Sequence, residues 1–234
     1  MRAKGILLDY GGTLVEELGY DEHAANQWLL SRARTVPTGV SLDDVLRRLE
    51  QVSRELGAKR DDRAIELSWQ TLTRLSYHSL GIQFDAPLGE LELGYWLACA
   101  RTRPMAGAIA ALEAWHERGI PMAVVSNCRF SEHVLRQELE RHGLARFLSF
   151  VMVTSEYGAR KPSRTLFEAA ARRLSMAAQD ILFVGDSLEM DMAGAKAAGM
   201  KTLWFRAGES SARTDTADHS CTSWSEILHY VDGR

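Results

Sequence analysis

Cysteine is scarce in this chain. Cys99, Cys128 and Cys221 are odd in number, far apart and free of any CxxC pair. Neither a disulfide framework nor a zinc site follows, and a reducing compartment, the cytoplasm, fits best. Long hydrophobic runs are missing as well. The basic N-terminal stretch holds only a short apolar run before Asp9, too short for a signal segment, and nothing later approaches a membrane span. Charge of one sign is not in excess: 28 basic residues face 31 acidic ones, for a net charge of -3, and seven scattered histidines do not reverse it. That balance excludes a global pull toward nucleic acid or an anionic membrane. No internal repeat or low-complexity segment stands out.

What is there is ordinary globular composition: 46% hydrophobic and 25% charged residues over 234 positions. This suffices for one good core, or a core with a smaller inserted domain. Oligomeric state leaves no trace in the sequence. Short apolar runs alternate with helical patterns, the signature of parallel β/α units. The runs are Gly5 to Leu8, Met122 to Val125, Phe150 to Val153, Ile181 to Val184 and Thr202 to Phe205. Their unbroken apolar character predicts strands buried on both faces. Between them, Phe167, Ala170, Ala171 and Leu174 recur at helical spacing, as do Leu135, Leu139 and His142, and Ile109, Leu112 and Trp115. Gly119 and Gly143 stand where helix C-caps belong. Residues 208–220 read as polar loop, and Trp224 to Val231 as a short closing helix.

The stretch from Glu16 to Arg103 breaks this rhythm. It holds no convincing strand, but two helical stripes: Leu42, Val45, Leu46, Leu49 and Val52, then Leu93, Trp96, Leu97 and Ala100. Ser41 and Asp44 mark a helix start. The expectation is an α/β, Rossmann-like parallel core over residues 1–15 and 104–234, with an α-helical cap over 16–103.

Four polar punctuation marks follow four of the strands: Asp9-Tyr10-Gly11-Gly12-Thr13-Leu14, Ser126-Asn127, Lys161-Pro162, and Gly185-Asp186-Ser187-Leu188-Glu189-Met190-Asp191. Open parallel sheets bind ligands at the carboxyl ends of their strands, so the fold brings these marks to one crevice. Singly, each has a plain reading. Asp9 and Gly11-Gly12 suit a turn, Ser126-Asn127 suits a helix cap, Lys161 suits a solvated position and Asp191 a helix start. Jointly and in this order they resemble the haloacid dehalogenase-like superfamily of hydrolases along the whole chain.

The resemblance implies a magnesium-dependent phosphatase acting on a small phosphorylated metabolite. Asp9 would be the nucleophile and form an aspartyl-phosphate. Asp9, Asp186 and the backbone carbonyl of Gly11 would hold Mg2+, with Asp191 in support, an all-oxygen set that suits magnesium. Gly12, Ser126 and Asn127 would bind the phosphoryl oxygens, and Lys161 would balance charge. Cys128 lies nearby without any mark of activation.

One position departs from the family pattern. A second aspartate, two residues after the nucleophile, usually protonates the leaving oxygen and activates water; here it is Gly11. Lost general acid–base catalysis typically costs about 10²–10⁴-fold in rate. Either the substrate carries a leaving group that needs little protonation, or the cap supplies the acid from Glu16, Glu17, Asp21, Glu22 or His23. Dehalogenating relatives also lack that aspartate, but usually carry tyrosine there and no Gly-Asp metal motif; Tyr10 is one place early and Gly185-Asp186 is intact. Phosphonoacetaldehyde hydrolases use a cap lysine, for which only Lys59, in a polar segment, is available. A non-catalytic phosphate-binding or regulatory protein is the reading from another class. Tyr20, His23, Trp28, Trp69 and His78 are cap residues within possible reach of substrate, with packing the plainer role for the tryptophans.

Overall fold

The protein is described here from a computed structural model covering residues 3–63, 65–208 and 215–233, with residues 58–63 given as backbone only. The first half runs β1 (Gly5–Leu8), β2 (Val15–Tyr20), α1 (Glu22–Leu30), β3 (Ala33–Thr35), α2 (Leu42–Arg63), α3 (Trp69–Ser79), β4 (Gln83–Phe84), α4 (Leu88–Cys99) and β5 (Ala100–Pro104). The second continues α5 (Ala108–Glu117), β6 (Met122–Ser126), α6 (Glu132–Arg141), β7 (Leu148–Val153), α7 (Thr154–Tyr157), α8 (Arg164–Arg173) and β8 (Ile181–Gly185). It ends with α9 (Ala193–Ala197), β9 (Lys201–Phe205), β10 (His219–Cys221) and α10 (Trp224–Asp232).

Six strands form one parallel sheet in the order β10-β9-β8-β1-β6-β7, with β1 held between β6 and β8. Side chains alternate across a sheet, so each strand feeds two cores. Ile6, Leu8, Val124 and Val184 pack on one face under α5, α6 and α10; Leu7, Ala123, Val125 and Phe183 pack on the other under α8 and α9. This two-sided burial is why the five runs read as continuous apolar stretches. Gly119 and Gly143 take positive φ just past α5 and α6, as C-cap glycines do.

Helices α1 to α4 gather around a third cluster, with Ala25, Leu29, Val45, Tyr77, Tyr95 and Trp96 at its centre. The capping expectation at α2 holds: Ser41 N–H donates to Asp44 Oδ2 at 2.8 Å, and Asp44 N–H to Ser41 Oγ at 3.3 Å. Three expectations are corrected. Residues 16–103 do contain strands: β2 pairs with β5, and β3 with β4, each as an antiparallel ribbon. These ribbons lie outside the sheet and are largely exposed, so no apolar run marks them. Leu97 is 55% exposed, whereas Leu88, Glu92, Tyr95, Trp96 and Cys99 form the buried face of α4. His219 and Ser220 belong to β10 rather than to a loop; residues 209–214 of that expected loop lie outside the described residues. Among the described residues, no helix is long and apolar enough to cross a membrane.

Candidate active site

The tip of β1 is fixed by backbone first. Asp9 N–H donates to Val184 O at 2.9 Å, which ties the residue after β1 to β8. The chain then turns through Gly12, at φ +70, whose N–H donates to Val15 O at 2.9 Å. A Cβ on Gly12 would stand 2.2 Å from Asp186 Oδ2, and one on Gly185 would stand 2.4 Å from Asp191 Oδ2. Both glycines are therefore demanded by the close approach of carboxylates. Asp191 sits on a short π-helical turn, Leu188–Met192, and its Oδ2 accepts the Ser187 N–H at 3.0 Å. The result is a cluster: Asp9, Asp186 and Asp191 each offer a carboxylate oxygen, all within 4.8 Å of one another.

Lys161 enters this cluster from below. Its ammonium, only 3% exposed, donates to Asp9 Oδ1 and to Asp191 Oδ1, both at 2.6 Å, and to Val125 O at 3.2 Å. Asn127 clamps its backbone: the side-chain oxygen accepts the Lys161 N–H at 2.8 Å, and the amide nitrogen donates to Lys161 O at 3.4 Å. Burial opposes the ammonium, but Asp191 and Asp9 outweigh that effect and hold Lys161 above its ordinary value, hence protonated. Burial also lifts Asp9 to about 7; Asp191 and Asp186 add to the rise, while Lys161 opposes it. Asp186, raised by desolvation and by Asp191, faces the cleft mouth as the exposed member.

With all three carboxylates ionised, the cluster carries two negative charges in excess over the one ammonium. Hard oxygen donors at this spacing, with net negative charge left over, suit a divalent cation such as magnesium. These three carboxylates fit the ion that the family resemblance implied.

Above the cluster opens a pocket of about 660 Å³. Its floor includes Gly11, Gly12, Ser126, Asn127 and Lys161; its upper wall includes Tyr20, Trp69, Tyr95, Trp96 and Phe130. Ser126, 4% exposed, ends β6 at this floor. All eight residues singled out for catalysis, phosphate or metal line this one pocket. Tyr20 and Trp69 join it, whereas His23, Trp28 and His78 do not; Trp28 packs instead against Gly94. Arg129 and Phe130 also line it. The sequence reading did not single them out; they follow Ser126-Asn127 after one intervening residue, Cys128, and closeness to that strand tip is the signal that could have found them. Burial pushes the Cys128 thiol up to about 12, so it is inert as a nucleophile. The Lys59 side chain lies outside the described residues.

Of the five acid candidates, Glu16, Glu17 and Glu22 line the pocket, and Asp21 and His23 do not. Glu16 pairs with Arg103 at 2.7 Å, and Asp21 caps α1 by accepting the Ala24 N–H at 2.9 Å. His23 is exposed and away from the pocket. Glu22 reaches the wall, and Glu17 reaches over Gly11.

A model of the haloacid dehalogenase-like hydrolases matches residues 3–199. The chain belongs to the haloacid dehalogenase-like hydrolase family. Among curated relatives, the ribulose-1,5-bisphosphate 5-phosphatase of Halopiger xanaduensis is 34% identical over 149 residues, 62% of this chain and 61% of that one. The match thus spans under two thirds of that relative's length. The glyceraldehyde 3-phosphate phosphatase of Methanopyrus kandleri is 26% identical over 88% of this chain and 85% of its own. Among solved haloacid dehalogenase-like folds, the 2-haloacid dehalogenase of Pseudomonas syringae pv. Tomato DC3000 superposes with a TM-score of 0.72 at 18% identity, over 100% of this chain and 99% of that one. At that identity the likeness speaks for the fold alone.

Proposed function

We propose that this haloacid dehalogenase-like hydrolase is a magnesium-dependent phosphatase that acts on a small phosphorylated metabolite through an aspartyl-phosphate on Asp9. One observation carries the reading: Asp9 is bonded to Lys161 and lies within ion-sharing distance of Asp186 and Asp191. A carboxylate nucleophile and a phosphoryl group are both anionic, so attack needs positive charge on both sides. Lys161 supplies it from the protein. Magnesium, when bound by Asp9, Asp186 and the Gly11 carbonyl with Asp191 in support, supplies the remainder and neutralises the phosphoryl oxygens. Ser126, the Asn127 amide and Gly12 bind those oxygens and hold the phosphorus in line with Asp9.

The division into a core (1–15 and 104–234) and a cap (16–103) belongs to this reading, with the aromatic wall shielding the site from bulk water. The pocket volume suits a metabolite of sugar-phosphate size. Relatives named for ribulose 1,5-bisphosphate and glyceraldehyde 3-phosphate support that class. Three free cysteines favour a reducing, cytoplasmic setting.

Hydrolysis of p-nitrophenyl phosphate tests the proposal. The wild-type chain is expected to turn it over with magnesium and to stop with chelator, and Asp9→Asn to abolish turnover while keeping the fold by thermal melt. Phosphate binding without any turnover would favour a binding module instead.

A further inference from the structure

Gly11 leaves no side chain where the family keeps its proton donor, yet the space is not empty. A Cβ built on Gly11 would stand 2.9 Å from Glu17 Oε1, 3.1 Å from its Cδ and 3.5 Å from its Oε2. An aspartate at position 11 would carry its carboxyl group into the volume that the Glu17 carboxyl group already fills. Glu17 comes from β2, on the far side of the turn, and three features aim it there. The register of β2 against β5 shifts between Glu17 and Gly19, so Leu18 is an extra residue in a bulge, and bulges re-aim the side chains beside them. Gly19 takes φ +149, a conformation a side chain would resist. Tyr20 Oη donates to Glu17 Oε1 at 2.5 Å and fixes the carboxylate over the cleft. Glu16, the neighbouring acid, is committed to Arg103.

We propose that Glu17 is the general acid and base of this site, standing in for the side chain that Gly11 lacks. It is not one of the side chains of the acidic cluster that could hold a metal, which among the described residues comprises Asp9, Asp186 and Asp191. That leaves its carboxyl group available for proton transfer. In the first step an Asp9 oxygen bonds to phosphorus, the phosphorus–oxygen ester bond breaks, and the leaving oxygen takes the proton of the Glu17 carboxyl group. In the second, water attacks the same phosphorus and gives a proton to the Glu17 carboxylate. The bond to Asp9 breaks and its electron pair returns to the Asp9 carboxylate. The products are the alcohol and inorganic phosphate, and Glu17 regains the proton it gave up.

This role rests on the phosphatase reading above, and the experiment separates the two. Wild type, Glu17→Gln, Gly11→Asp, Glu17→Ala and the Glu17→Ala/Gly11→Asp double variant are compared with magnesium on phenyl phosphate and p-nitrophenyl phosphate. Glu17 is exposed, so thermal melts should match across the Glu17 variants. Glu17→Gln should lower kcat on phenyl phosphate by about 10²–10⁴-fold with KM little changed. Nitrophenolate leaves without a proton, so with Glu17→Gln p-nitrophenyl phosphate should give a burst of one equivalent followed by slow turnover. Gly11→Asp alone should fall below wild type, because its carboxylate meets that of Glu17. The double variant should regain at least about tenfold over Glu17→Ala, as a returned acid–base group would give. A Glu17→Gln variant with wild-type kcat on phenyl phosphate, or a double variant with no recovery, would overturn the assignment. A wild-type chain that hydrolyses neither ester would overturn the phosphatase reading and the Glu17 role together.

Discussion

Lys161 stands between Asp9 and Asp191, 2.6 Å from each, with its side chain 3% exposed. Removing one member of a buried ion pair leaves charge uncompensated and typically costs about 3–5 kcal/mol. Lys161→Met should therefore abolish turnover and lower stability in chelator by that order. Magnesium should restore part of the loss, since a cation in the cluster answers the same carboxylates. Chemical denaturation with and without magnesium checks this, and a variant equally stable in both would contradict it. At this scale the sequence was largely legible: Asp9, Ser126 and Asp186 end or directly follow an apolar run, and Lys161 comes a short helix after one. Glu17 was legible only as one of five candidates. Its selection depends on a bulge and on where a missing Cβ would point, and no spacing rule encodes either.

Between elements, a buried carboxylate joins α6 to the β2–β5 ribbon. Glu138, 1% exposed, accepts bonds from Arg141 at 2.7 and 3.0 Å and from Thr102 of β5. Burial opposes its charge, but Arg141 and Thr102 prevail and hold Glu138 below its ordinary value of 4.5. The folded protein then binds fewer protons here than the unfolded chain. Stability from this group is present above 4.5 and is lost as pH falls through and below it. Glu138→Gln should be less stable near neutrality and show a shallower acid-side decline. Thermal melts from neutral pH downward test this; parallel curves for the two proteins would contradict it. Elements buried on both faces were readable because every residue must be apolar. The β2 segment, Val-Glu-Glu-Leu-Gly-Tyr, was not, because its exposed ribbon imposes no such pattern and its bulge breaks the alternation. The register of α4 misled for a related reason: apolar residues occur nearly all round it, so periodicity alone could not exclude Leu97 from the buried face.

At the scale of the whole molecule, the parallel sheet brings residues 9, 126, 161, 186 and 191 to one edge, and helices α1 to α4 close over it. Phe130, from the loop after β6, stacks with Trp69 at 6.1 Å and meets Trp96 edge-on at 4.9 Å, so residues distant in sequence share the aromatic wall of the pocket. Trp69 N–H also donates to Arg129 O at 2.7 Å across the same seam. In the proposed reaction this aromatic wall would limit the access of bulk water to an acyl phosphate on Asp9. Acid quenching during turnover of an aryl phosphate, followed by peptide mass analysis, tests that chemistry most directly. The expected result is one added phosphoryl mass on the peptide carrying Asp9, present with magnesium and absent in chelator. Steady turnover with no adduct, or an adduct on any other residue, would contradict attack by Asp9.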